Sequence, residues 1–148
     1  MKPSDLIITG EKAEQALNQL QSATSLNLRR DDNGKITATG TANTPADQKL
    51  LEAINDTKVT VAINATSSNY TGPDIISSAG RWFAGGAFGG NKVTDNGNAV
   101  VAAQTINPDH FDVMATVSGQ AAGVSVMHEA LEAFIGAQDN PGTNASNI

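Results

Sequence analysis

Apolar residues recur along the chain at two periods, and the switches between them mark out the elements. LIITG, from Leu6, alternates weakly and stops at Gly10, which predicts a strand. In EKAEQALNQLQSAT the residues Ala13, Ala16, Leu17 and Leu20 fall at helical spacing. SLNLRR and KITATG flank the turn DDNG, so a β-hairpin follows, with Asn33-Gly34 expected to supply the positive φ angles of a tight turn. TPADQKLLEAIND then carries Thr44 as N-cap, Pro45 at the first helical position and Asp47 in the first turn, with Leu50, Leu51 and Ile54 as the buried face. KVTVAINAT alternates Val59, Val61 and Ile63 inward, a half-buried strand. Residues 6–66 thus read βαββαβ, a mixed sheet with two helices on one side.

From Ser67 to Gly80 no period persists and breakers are frequent, which predicts a long loop. A short Gly-rich strand, a turn at Asn96-Gly97 and a strand from Ala99 to Ile106 follow. The glycine pairs at 85–86 and 89–90 match neither the dinucleotide nor the P-loop spacing, so they read as bulges or close backbone approach. Asn107-Pro108 opens a short helix through Phe111 and Met114. From Val124 to about Ala137 a second helix is expected, its apolar stripe formed by Val124, Met127, Leu131 and Phe134. The tail from Asp139 to Ile148 is polar. The whole reads as α+β, a single compact domain over 1–148: the βαββαβ lobe at 6–66, Gly-rich strands and a last helix at 81–138, and the tail at 139–148.

Charge and composition narrow the function classes. Nine basic against fifteen acidic residues give a formal charge of −6, and only Arg29 and Arg30 lie together, so no basic stripe is available for nucleic acid. No apolar run approaches the length of a membrane span, and nothing at the N-terminus resembles a signal peptide, so neither a membrane partner nor an export signal is expected in this chain. Zero cysteines exclude disulfides, thiolate zinc sites and a cysteine nucleophile. Sequons at Asn64, Asn69 and Asn144 matter only in a eukaryotic secretory route.

The last helix concentrates the chemistry. In VMHEALEAFIGAQDNPG, His128 and Glu132 are four apart and share a helix face, expected at the border of the core, with Glu129 about 100° further round. HExxH uses this layout: two ligands one turn apart hold zinc while the intervening glutamate takes a proton from the metal-bound water. Here Glu132 replaces the second histidine, and carboxylate oxygen is also a zinc ligand. The bland alternative is a surface His–Glu pair worth a few tenths of a kcal/mol. A third ligand could come from Asp139, eleven residues after His128 if Gly136 turns the backbone back, or from His110, which otherwise reads as an exposed residue at a helix start.

GTANTPADQKLLEAIND, VTVAINAT, GGAFGG, VVAAQTINP and above all GVSVMHEALEAFIGA resemble the C-terminal domains of bacterial Rhs-type proteins, the polymorphic-toxin group with a zincin-like metallopeptidase end, over roughly Gly40 to Gly136. The resemblance implies a minimal zincin: a twisted mixed sheet, a C-terminal active-site helix, and an edge strand for an extended peptide, either Val100–Ile106 or the Gly-rich strand near Phe83–Phe88. It implies zinc as cofactor, His128 and Glu132 as ligands and Glu129 as general base. A peptide or protein would be the substrate, with an immunity protein or the rest of an Rhs-like chain as partner, in a bacterial protein secreted or delivered as part of a larger one. Family members carry a further histidine downstream, whereas this chain has none after His128. The competing expectation is a non-catalytic structural or interaction domain of a larger Rhs-like protein, with no metal site. A two-carboxylate glycosidase fits poorly, because Glu129 and Glu132 lie on one helix and cannot flank a sugar. Serine hydrolysis lacks its GxSxG signature.

Overall fold

The computed structural model describes residues 6–68 and 86–142. The long loop expected after Ser67, the start of the Gly-rich strand, the sequons at Asn69 and Asn144 and the end of the polar tail lie outside them. The fold is α+β, with elements in the order β1 (Leu6–Thr9), α1 (Ala13–Ser22), β2 (Asn27–Arg30), β3 (Ile36–Thr39), α2 (Pro45–Asn55), β4 (Val59–Ala65), β5 (Gly86–Thr94), β6 (Ala99–Ile106), α3 (Pro108–Ser118) and α4 (Ala122–Asp139). A four-stranded mixed sheet has the order β1-β4-β6-β5: β1, β4 and β6 run parallel, and β5 lies antiparallel on β6.

The N-terminal lobe differs from the expected single sheet. β2 and β3 pair with each other as a separate two-stranded sheet, joined to β1 by one bridge between Ile7 and Lys35. The outer edge of β1 is satisfied without a ladder: Ile8 donates its N–H to Gly34 O at 2.8 Å, and its carbonyl accepts from Arg30 Nε at 2.6 Å. The hairpin turn also differs in detail. Only Gly34 has positive φ (+86°), because the Asp31 carboxylate shapes the turn by accepting from the N–H groups of Asn33 and Lys35.

Local signals place the helices well. Thr44 Oγ1 accepts from Asp47 N at 3.0 Å, with Pro45 in the first turn of α2. Asn107 caps α3 by accepting from the N–H groups of Asp109 and His110, and Gly119 ends that helix at φ +79°. Between β5 and β6, Asn96 and Gly97 take the left-handed conformation the turn requires.

One buried cluster unites both halves of the chain. Leu6 and Ile8 of β1, Val61 and Ile63 of β4, and Val100, Ala102 and Ile106 of β6 meet Ala16 and Leu20 of α1, Leu50 and Ile54 of α2, and Val126, Ala130 and Phe134 of α4. Burying each Val, Leu, Ile or Phe side chain among these is worth about 1.5–3 kcal/mol. α4 is the hub, in contact with α1, α2, α3, β4, β5 and β6.

Candidate metal and acid-base site

The orientation of α4 decides which side chains meet solvent. Its buried residues are Gly123, Val126, Met127, Ala130, Ala133, Phe134 and Ala137, whereas Val124 is 47% exposed. The stripe is therefore centred on small residues, about one residue's rotation away from the one drawn through Val124 and Leu131. Alanines weigh little in a hydrophobicity pattern, yet they let the helix sit close to the sheet and to α1. With α4 turned this way His128 and Glu132 face solvent, with side chains 67% and 50% exposed, and the residue at the core border is Glu129.

His128 Nε2 and Glu132 Oε2 stand 3.0 Å apart. Two ligands at about 2.0–2.1 Å from a tetrahedral ion lie about 3.3 Å from each other, so the pair has nearly the bite that one zinc ion needs. The same atoms fit a hydrogen bond, with a proton on Nε2 donated to the carboxylate. Beside them runs an open groove of about 420 Å³ lined, among the described residues, by His128, Leu131, Glu132, Ile135 and Gly136.

Glu129 points toward the sheet. Its carboxylate accepts from Gln104 Nε2 on β6, and it lies against Gly86 of β5, where a Cβ would come 2.7 Å from its carboxyl carbon. Burial pushes the Glu129 carboxyl above its ordinary range; the neighbouring Glu132 charge pushes the same way, and His128 works against both. Such a carboxyl exchanges protons nearer neutral pH than an exposed one. Further on, the end of α4 is tied to β5: Asn91 Nδ2 donates to Asn140 O at 3.3 Å, and Gly142 N donates to Asn91 Oδ1. α4 thus runs beside the sheet's edge strand, with Glu129 near its start and Asn140 further along.

The other sequence candidates fall elsewhere. Gly136 does not turn the backbone; α4 continues to Asp139, and eleven residues of helix separate Asp139 from His128 by about 16 Å along the axis. Asp139 is not brought to the pair. His110 sits in the first turn of α3, its N–H bonded to Asn107. Among the described residues no three His, Asp or Glu side chains converge as a metal-binding group. Of the two strands proposed as a peptide edge, β6 is flanked on both sides by β4 and β5, so its backbone is already paired; among the described residues β5 is the edge. Sequence reasoning missed Gln104 and the role of Gly86. A polar residue at an inward position of the alternating strand AVVAAQTI was the available signal for Gln104.

Comparison with family models, curated proteins and solved structures returned no match. Function therefore rests on the site itself. No helix among the described residues is long and apolar enough to cross a membrane.

Proposed function

We propose that α4 carries the ligands and general base of a zinc-dependent peptidase, an effector or toxin-like domain of the Rhs type. The observation that supports it is the 3.0 Å spacing of His128 Nε2 and Glu132 Oε2 beside a half-buried acid, Glu129, on the same helix. The donors fit zinc in kind, a neutral imidazole nitrogen and a carboxylate oxygen, and as a pair they make a weaker site than three protein ligands would. Bound there, zinc would polarise a carbonyl and acidify a water molecule. Glu129, held next to the pair and raised toward neutral by burial, takes up the proton that a water nucleophile loses and returns it to the departing amine. Among the described residues β5 is the outer strand beside β6, the place where an extended peptide would pair.

A second reading rests on the same pair. His128 and Glu132 are exposed and satisfy each other, as a helix-surface pair does in a non-catalytic domain. Zinc titration by calorimetry separates the two. Binding at micromolar or tighter affinity that disappears in both His128→Ala and Glu132→Ala supports the peptidase; no binding to the wild-type chain overturns it. Glu129→Gln should then keep the metal and lose casein hydrolysis.

A further inference from the structure

Four residues of β6 point into the core, Val100, Ala102, Gln104 and Ile106, and three of them are apolar. Gln104 is the exception. It is 3% exposed, in a row where leucine or valine would add burial at no polar cost. A buried amide is retained without penalty only where its hydrogen bonds are made, and the partner of Gln104 Nε2 is the Glu129 carboxylate. Across the β5–β6 ladder, Gly86 pairs with Ile106 and Phe88 with Gln104. Gly86 thus stands two positions from Gln104 in register, and it leaves open the volume into which Glu129 reaches, since a Cβ there would lie 3.0 Å from each carboxylate oxygen.

We propose that Gln104 is a positioning residue for Glu129, with Gly86 shaping the seat, so that the general base is aimed by β5 and β6 as well as by its own helix. Three elements converge on one carboxylate. An acid on a bare helix face would sample several rotamers, and a proton acceptor misplaced by about 1 Å loses up to about a hundredfold in rate. The amide fixes one oxygen of Glu129, and Gly86 gives room to both. This assignment rests on the peptidase proposal for its catalytic consequence, and on geometry alone for the contact.

The test has two arms on the full chain. In the first, the side-chain amide of Gln104 is followed by ¹⁵N NMR without metal. Resolved, shifted amide protons that move to ordinary positions in Glu129→Ala, while the Asn91 side-chain amide stays put, are expected; an amide indifferent to Glu129→Ala overturns the proposal whether or not the protein is a peptidase. In the second, zinc-loaded wild type is compared with Gln104→Leu and Gly86→Ala. Gln104→Leu should keep zinc affinity and KM within about threefold and lower kcat by about ten- to a hundredfold, with no further loss when added to Glu129→Gln. Gly86→Ala, which leaves the amide in place but displaces the carboxylate, should lower kcat in the same way. Unchanged kcat in Gln104→Leu of an active protein overturns the positioning role, whereas failure of the wild type to bind zinc overturns the peptidase reading and leaves the amide arm to judge the contact.

Discussion

Gly123, in the first turn of α4, lies so close to the carbonyl oxygen of Gln19 in α1 that a Cβ at position 123 would stand 2.1 Å from it. The obstacle is backbone, which cannot swing aside as a side chain could. Gly123→Ala gains about 1 kcal/mol of helix propensity but forces the two helices apart, an overpacking cost of about 1–3 kcal/mol. Net destabilisation of up to about 2 kcal/mol is expected, read as a lower urea midpoint.

Gly136 predicts the opposite sign. It too lies inside α4, but among the described residues a Cβ there would meet nothing within 4 Å, and its φ is not positive. Gly136→Ala should stabilise the chain by up to about 1 kcal/mol, seen as a raised Tm. An alanine that lowers Tm would show that some group packs directly on that position.

His128→Ala should leave stability within about 0.5 kcal/mol of wild type, because an exposed pair at helical spacing contributes little. Thermal unfolding without metal checks this. A metal-binding defect in the same variant then reports a lost ligand and not a damaged fold.

Asp47 makes a pH prediction. Its carboxylate accepts from Thr24 Oγ1, Ser25 Oγ and Asn43 N, and these bonds, led by Thr24, hold its pKa at about 2 against an ordinary 3.8. A folded value below the unfolded one means that the contribution is complete above about pH 4 and fades as pH falls toward 2. After allowance for solvent screening it is about 1–2 kcal/mol. The stability difference between wild type and Asp47→Asn, measured by urea unfolding from pH 7 down to pH 2.5, should shrink below pH 4. A difference that stays constant would place the stabilisation elsewhere than in the charge.

The fold was more legible in the sequence than the site, for reasons visible at single residues. Thr44-Pro45, Asn107-Pro108 and Asn96-Gly97 act locally, through caps and turn angles, so they marked element ends where the structure has them. The alternation of Val59, Val61 and Ile63 identified a strand, and all three are buried. Pairing was harder, because whether β2 and β3 join the main sheet depends on Arg30 and Gly34 meeting Ile8, a contact between residues far apart in the chain. The facing of α4 was misjudged for a different reason. Ala130, Ala133 and Ala137 are buried by close approach to neighbouring elements and not by their own hydrophobicity, so the stripe drawn through larger residues placed His128 and Glu132 at the core border. The same rotation brought Glu129 to Gln104, a meeting that no spacing along the chain encodes.

The place of α4 in the chain bears on how the protein comes to be folded. It is made after the other described helices and strands, yet α1, α2, α3 and three of those strands all rest on it. Until Phe134 and Ala137 have emerged, Leu20, Leu50 and Ile63 lack the surface that shields them from water. Vectorial synthesis therefore cannot complete this core piecemeal, since elements made before α4 share one core with it and close on it cooperatively.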